Sequence, residues 1–233
     1  MSATAGALLF PVGFVMLILL GFELVTGNFA TLAAAWLDRR ISLHRVLRNW
    51  LWVYLGNLLG GVAYAALFYA VVTNMGTNKG GPLGEQIRLL AQNKTIGYSA
   101  LGAAGWTLAF IKGALCNWLV TTGSVLAFVS RSTVGKILAM WMPITTFFAL
   151  GFEHSVVNMF VIPVGMMLGA TVSARQWWIW NQIPVTIGNL LSGVLLTGAA
   201  LWYTHARRRP ERIELETEVL VGSTSEFEET PGH

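Results

Sequence analysis

The chain has 233 residues, of which 55% are hydrophobic and only 11% are charged. Soluble domains usually carry about a quarter charged residues, so this composition predicts an integral membrane protein built as one helical bundle. The formal net charge of +4 does not indicate a nucleic-acid partner, because the basic residues stand in loops beside apolar spans. The single cysteine, Cys116, excludes an internal disulfide framework and a multi-cysteine metal site, and no cofactor is indicated.

Apolar spans are predicted at residues 5–37, 49–72, 102–129, 137–168 and 177–203. About 20 apolar residues cross a bilayer, so the first and fourth spans are longer than one crossing needs. Both have glycines and polar residues near the middle, which predicts two broken helices. The transmembrane channel domain is predicted to cover residues 1–204. Residues 205–233 hold seven of the eleven acidic residues and are predicted to form a disordered tail.

Arginine and lysine are concentrated in the loops at residues 38–48 and 131–136 and in the cluster at 207–209. Basic loops lie on the cytoplasmic side of membrane proteins. The pattern therefore predicts a multi-pass protein of the plasma membrane with a cytoplasmic C-terminus.

Two motifs occur twice. GFELVTGNF at 21–29 is repeated as GFEHSVVNMF at 151–160, and GNLLGGV at 56–62 is repeated as GNLLSGV at 188–194, with offsets of 130 and 132 residues. Two segments repeated at nearly one offset indicate an internal duplication.

The repeat predicts a span ahead of each broken helix. A span precedes the broken helix of the second half, whereas none precedes that of the first half. A three-plus-three inverted repeat, common among transporters, would supply one. We therefore predict five spans of an expected six, with the first helix absent from this sequence; a genuine five-helix protein is the alternative.

The second break contains Glu153 and His154 inside an uncharged apolar run. Ionisable groups at membrane depth mark a pathway or a partner by default, and His154 is the span side chain that exchanges protons near neutral pH. The alternative is that His154 is only a hydrogen-bonded packing residue. Glu153, and Glu23 in the first break, are predicted to support the breaks by accepting backbone N–H groups. Asn28 and Asn158 correspond between the halves and are assigned the same supporting role.

Four motifs resemble the formate/nitrite transporter family. They are FELVTGN at 22–28, NWLWVYLGNLLGG at 49–61, FIKGALCNWLV at 110–120 and GFEHSVVNMFVIPVGMMLG at 151–169. The resemblance covers residues 8–203, and the wording is most similar to fungal and other eukaryotic members. It implies a homopentamer whose subunits each form an aquaporin-like six-helix pore at which the broken helices meet. It also implies transport of small weak-acid anions, such as formate, nitrite or short carboxylates, often with a proton.

The same resemblance implies roles for individual residues. It assigns His154 as the central histidine, Asn117 as the pore asparagine and Thr26 as the threonine of the first break. The implied apolar constrictions are Phe10, Phe14 and Phe147, although sequence alone favours core packing for these residues. The outer lysine of the family matches Lys94, less closely because extra residues separate it from the CNW motif. Lys112 shares or replaces that role, or extends to the membrane interface.

These assignments give a transport hypothesis. Lysines attract the anion, which passes the phenylalanines and meets His154, hydrogen-bonded by Thr26 and Asn117. It crosses as, or nearly as, the neutral acid, because a bare charge in hydrocarbon is prohibitively costly. The partners are then the anion, protons and membrane lipid. A water channel is disfavoured because neither break contains Asn-Pro-Ala, and an ammonium transporter because paired pore histidines are missing. A non-conducting truncated or regulatory subunit is the serious alternative. No nucleophile–base set, phosphate loop or metal cluster indicates an enzyme.

Overall fold

The computed structural model describes residues 3–206, with side chains over residues 5–205, and this part of the chain is helical. In chain order the helices are α1 (Ala3–Leu9), α2 (Pro11–Leu20), α3 (Val25–Leu37), α4 (Leu43–Val72), α5 (Gly81–Asn93), α6 (Ile96–Ala100), α7 (Ala103–Val129), α8 (Thr133–Ala149), α9 (Ser155–Met167) and α10 (Ala174–His205). Residues 205 and 206 still belong to the last helical turn. The rest of the predicted tail lies outside the described residues.

Within the described residues, α4, α7 and α10 are each long and apolar enough to cross a membrane, and Ala5–Leu20 with Val25–Leu37 forms a fourth span bent by 44°. The shorter apolar helices α8 and α9 follow one another across residues 150–154. Both predicted breaks therefore occur, although α8 and α9 are each shorter than the about 20 residues that a full crossing needs. That a first helix of the repeat is absent from this sequence stays a prediction.

The two breaks share one backbone geometry. α2 ends at Gly21 with φ 71° and α8 is followed by Gly151 with φ 63°, a left-handed conformation that glycine adopts without a Cβ clash. Three residues later, Leu24 (φ −121°, ψ 118°) and His154 (φ −117°, ψ 120°) are extended and begin α3 and α9. The duplication in the sequence is therefore also a duplication of the backbone turn.

Helix packing brings the two breaks together. α7 packs against α8 and α10, α9 packs against α4 and α5, and α3 packs against α10. Within α10 the stretches Trp178–Gln182 and Ser192–Ala199 are π-helical. Such wider turns in a helix are frequent at functional sites, and the first of them carries Asn181, which reaches the second break.

Glycines of the repeated GN motifs provide a matched test of this packing. A Cβ at Gly188 would lie 2.2 Å from the Phe110 carbonyl oxygen and 2.9 Å from the Ala114 nitrogen, whereas a Cβ at Gly56 would meet nothing within 4 Å. Gly188→Ala is therefore expected to push α7 from α10 and cost about 1–3 kcal/mol, measured as a lower melting temperature in detergent. Gly56→Ala should change it little.

Two results would argue against this interpretation. A Gly188→Ala protein that melts like the wild type would contradict the close contact between α7 and α10. An equal loss for Gly56→Ala would show that a further helix packs on α4 at that point in the assembled protein.

Candidate functional site

The site lies where the two breaks meet. Thr26 Oγ1 is 2.9 Å from His154 Nε2, and both residues are buried. The Val157 backbone N–H donates to His154 Nδ1 at 3.2 Å. A nitrogen that accepts a hydrogen bond carries no proton, so the neutral imidazole has its hydrogen on Nε2. His154 therefore caps α9 with one nitrogen and donates to Thr26 with the other.

Asn117 hydrogen-bonds the backbone of Thr26 and not the imidazole, so the prediction that it bonds His154 was wrong. Its Nδ2 donates to the Thr26 carbonyl at 3.0 Å and to the Asn189 carbonyl at 2.7 Å. Its Oδ1 is buried and has no hydrogen-bond partner among the described residues. Asn117 thus fixes Thr26 opposite His154, and one acceptor atom remains unpaired beside the junction.

The Glu153 carboxylate is the centre of a buried polar network. It accepts from Lys94 Nζ (2.7 Å), Tyr98 Oη (2.8 Å), Asn158 Nδ2 (2.8 Å) and Asn181 Nδ2 (3.3 Å). These donors are side chains, so the prediction that Glu153 accepts backbone N–H groups was wrong. A buried charge is tolerated when it is paired and hydrogen-bonded. Burial and the adjacent carboxylate raise the pKa of Tyr98, so its hydroxyl stays protonated and donates.

Asn189 satisfies the unwound backbone of the second break. Its Oδ1 accepts from the Ser155 N–H at 2.9 Å, and its Nδ2 donates to the carbonyls of Glu153 at 3.2 Å and Gly113 at 2.7 Å. Non-helical backbone at membrane depth persists where protein groups pair its polar atoms. One amide side chain therefore joins the break to α7.

The first break has the equivalent network. Asn28 Nδ2 and Asn49 Nδ2 each donate to Glu23 Oε2 at 3.0 Å, and Asn28 also donates to Asn49 Oδ1 at 2.9 Å. Asn57 accepts from the Val25 N–H at 3.0 Å and donates to the Glu23 carbonyl at 3.3 Å. Here too the carboxylate accepts from side chains, not from backbone N–H groups as predicted. Unlike its buried counterpart, Glu23 is exposed and has no ion-pair partner within residues 3–206.

Sequence reasoning missed five residues of these networks, namely Asn49, Asn57, Tyr98, Asn181 and Asn189. Four of them carried a signal, since Asn57 and Asn189 are the asparagines of the repeated GN motifs and Asn49 and Asn181 each stand eight residues earlier. Tyr98 carried none, because it meets Glu153 across 55 residues of sequence.

The three phenylalanines assigned to constrictions cluster beside His154. Their ring centroids are 5.7 Å (Phe10 to Phe147), 5.8 Å (Phe10 to Phe14) and 6.0 Å (Phe14 to Phe147) apart. The His154 ring lies 5.4 Å from Phe14 and 5.9 Å from Phe147. Phe14 and Phe147 also belong to the main apolar core. The same phenylalanine rings therefore pack the core and lie where a path past His154 would be closed.

Among the described residues, three cavities border this cluster. The largest of the three, of about 1210 Å³, is lined by Lys94, Tyr98, Lys112, Phe147, Glu153 and His154 among others. A second, of about 400 Å³, is lined in part by Phe10, Phe14, Leu24 and His154. A third, of about 60 Å³, includes Phe14, Leu24, Gly27, Asn28 and Ser124 in its lining. His154 borders the first two cavities, and Phe14 borders the last two. Because Lys94 and Lys112 line the first cavity, both predicted lysines share a cavity with the histidine.

Comparison with known proteins gives one consistent result. Residues 1–203 match the family described as formate/nitrite transporter. The chain is 40% identical to a probable formate transporter of Methanothermobacter thermautotrophicus, covering 85% of this chain and 73% of that protein. It is 34% identical to the formate channel FocA of Haemophilus influenzae, with 85% and 72% covered.

Solved structures agree. An FNT family ion channel matches with a TM-score of 0.75 and 31% identity, covering 87% of this chain and 77% of that one. A pentameric formate channel with formate bound matches with a TM-score of 0.68 and 25% identity, covering 88% and 83%. These proteins are transporters and channels rather than enzymes. The chain is an integral membrane protein of the formate/nitrite transporter family.

Proposed function

We propose that the protein carries small monovalent weak-acid anions, such as formate, nitrite or short carboxylates, across a membrane together with a proton. The observation that carries this proposal is the position of His154, whose Nε2–H faces Thr26 at the junction of both breaks and borders the two larger cavities. A similar protein is described as a pentameric formate channel with formate bound, which supports a homopentamer. We assign one pore to each subunit, because the junction of the two breaks lies within one chain.

The site lowers the cost of moving an anion through hydrocarbon. Ammonium groups line the largest cavity and raise the local anion concentration there. Both α3 and α9 begin at the junction, so the positive ends of two helix dipoles face the path. At the phenylalanine cluster the anion gives up its hydration water and accepts a hydrogen bond from the Nε2–H of His154. This bond replaces the one that the N–H donates to Thr26 Oγ1.

The proton step follows from the hydrogen bonds of the imidazole. For the ring to give its Nε2 proton to the anion and remain neutral, Nδ1 must gain the co-transported proton, which water delivers from the side of higher proton concentration. Exchange of the tautomers through water then returns the hydrogen to Nε2 before the next cycle. Nδ1 now accepts from the Val157 N–H, and that bond must open when Nδ1 is protonated. Proton transfer is therefore linked to the first turn of α9, and the anion leaves the junction as the neutral acid.

The same proposal assigns the surroundings of the pore. Residues 1–204 form the channel domain of a plasma-membrane protein, with the basic loops and the C-terminus in the cytoplasm, as positive loop charge favours. The exposed apolar faces of α4, including Leu59, Leu67 and Val71, contact lipid or neighbouring subunits.

The experiment is uptake by proteoliposomes that contain this chain as written. Uptake of radiolabelled formate and of nitrite is measured with and without an inward proton gradient. We expect uptake of both anions, and we expect the gradient to accelerate it. No uptake by protein shown to be folded and inserted would overturn the proposal and favour a non-conducting subunit, whereas uptake insensitive to the gradient would remove the proton from the mechanism.

A further inference from the structure

A positively charged cavity lies at the turn between α3 and α4, away from the junction of the two breaks. It has a volume of about 450 Å³ and is lined by Trp36, Arg39, Arg40, Ile41, Ser42 and Arg45. Arg40 forms an ion pair with Asp38, whereas no carboxylate within residues 5–205 pairs with Arg39 or Arg45. The cavity therefore offers two exposed guanidinium groups that no acidic side chain of this part of the chain neutralises.

The equivalent turn in the second half of the chain ends its helix with a different residue. α3 is followed by Arg39 (φ 56°) and α9 by Gly169 (φ 92°), both left-handed. The Arg39 N–H donates to the Trp36 carbonyl at 2.9 Å, and the Gly169 N–H donates to the Met166 carbonyl at 3.0 Å. Glycine adopts this conformation freely, whereas a residue with a Cβ is strained in it. The first half thus has a cation where the second half has the unstrained residue.

The start of the following helix differs as well. In the second half, the Ser173 side chain accepts from the Gln176 N–H at 3.2 Å and the Gln176 side chain accepts from the Ser173 N–H at 2.9 Å, which completes a capping box. The corresponding residues of the first half are Ser42 and Arg45, and Ser42 makes no side-chain cap hydrogen bond. Arginine has no acceptor atom with which to complete the box. The first N–H groups of α4 are therefore left without a side-chain acceptor.

We propose that this cavity binds the phosphate group of an acidic phospholipid. Guanidinium groups present forked donors that match phosphate oxygens, and uncapped N–H groups beside them favour the same anion. The helices on both sides of the turn belong to membrane spans, so the turn lies at a membrane surface, where the partly exposed ring of Trp36 suits the interface. The choline cation of a zwitterionic lipid would be repelled by the arginines, so a lipid with net negative charge is favoured.

The test measures lipid binding to the detergent-purified protein by native mass spectrometry. The probes are phosphatidylglycerol, phosphatidylcholine and inorganic phosphate. Arg39→Gly and Arg45→Gln each copy the residue of the second half, and Arg131→Gln is the matched control, because it removes the same charge from another exposed basic loop that does not line the cavity. We expect the wild type to bind phosphatidylglycerol more tightly than phosphatidylcholine. Each of the first two variants should weaken phosphatidylglycerol binding about fivefold, and Arg131→Gln should leave it unchanged.

The melting temperature without added lipid separates binding from folding. Arg39→Gly relieves a strained residue and Arg45→Gln supplies the missing capping glutamine, so both should melt at or above the wild-type temperature while binding less lipid. Melting below the wild type would assign the arginines to the fold instead. Unchanged phosphatidylglycerol binding in both variants would overturn the proposal, and so would an equal loss in Arg131→Gln. If inorganic phosphate raises the melting temperature of the wild type as much as phosphatidylglycerol does, the site belongs to a soluble phosphate and not to a lipid.

Discussion

Replacing Glu153 by glutamine is expected to destabilise the protein by about 3–5 kcal/mol, the usual loss when one partner of a buried ion pair is removed. The Lys94 side chain is only 15% exposed, so its charge would stay buried without a counter-ion. The new amide nitrogen would also face donors, because Asn158, Asn181 and Tyr98 all point at the carboxylate. A lower melting temperature and a loss of the folded oligomer on size exclusion would report the effect.

The repeat provides the control. Glu23 accepts from two amide groups in the equivalent network, but it is exposed and no lysine pairs with it in the described chain. Glu23→Gln is therefore expected to cost about 1 kcal/mol or less. Adding Lys94→Met to Glu153→Gln removes the stranded charge and should recover part of the loss. Equal losses at the two glutamates, or no recovery in the double variant, would contradict the ion-pair explanation.

The two breaks were predictable because their signals are local. A glycine with an acid two residues later inside an apolar run indicates that a helix ends there. The sequence GFE has this pattern and occurs once in each half, at 21–23 and 151–153. The structure places Thr26 and His154 2.9 Å apart, and their assignment to a pore, which the family resemblance implies, stays a prediction. Lys94 and Lys112, 18 positions apart in the sequence, line the same cavity.

The partners of the carboxylates were not predictable from local sequence. The nearest unpaired N–H groups after Glu153 are those of the first turn of α9, and sequence reasoning paired them with the acid. In the structure the Ser155 N–H binds Asn189 and the Val157 N–H binds His154. The carboxylate then accepts from Asn158 on α9 itself and from Lys94, Tyr98 and Asn181, and only the packing of α5, α6 and α10 brings these last three near.

Replacement of His154 should separate proton coupling from conduction. His154→Asn retains a good cap for α9 and an N–H donor toward the junction, but an amide does not exchange protons near neutral pH. We expect the acceleration of formate uptake by a proton gradient to be at least about tenfold smaller in His154→Asn than in the wild type. The reason is that positioned proton transfer contributes at least that much. Uptake driven by formate concentration alone should persist. The measurement is the ratio of initial uptake with and without the gradient.

His154→Ala removes the cap and the donor together. Loss of the cap costs about 1 kcal/mol, and loss of the donor leaves an anion beside Phe14 and Phe147 with no imidazole N–H to replace its water. We therefore expect both forms of uptake to fall in His154→Ala, whereas His154→Asn loses the dependence on the gradient. If folded His154→Ala protein retains proton-driven uptake, the imidazole is not the proton relay. The histidine would then serve to hold the break, and the proton would have to cross by water or on the anion itself.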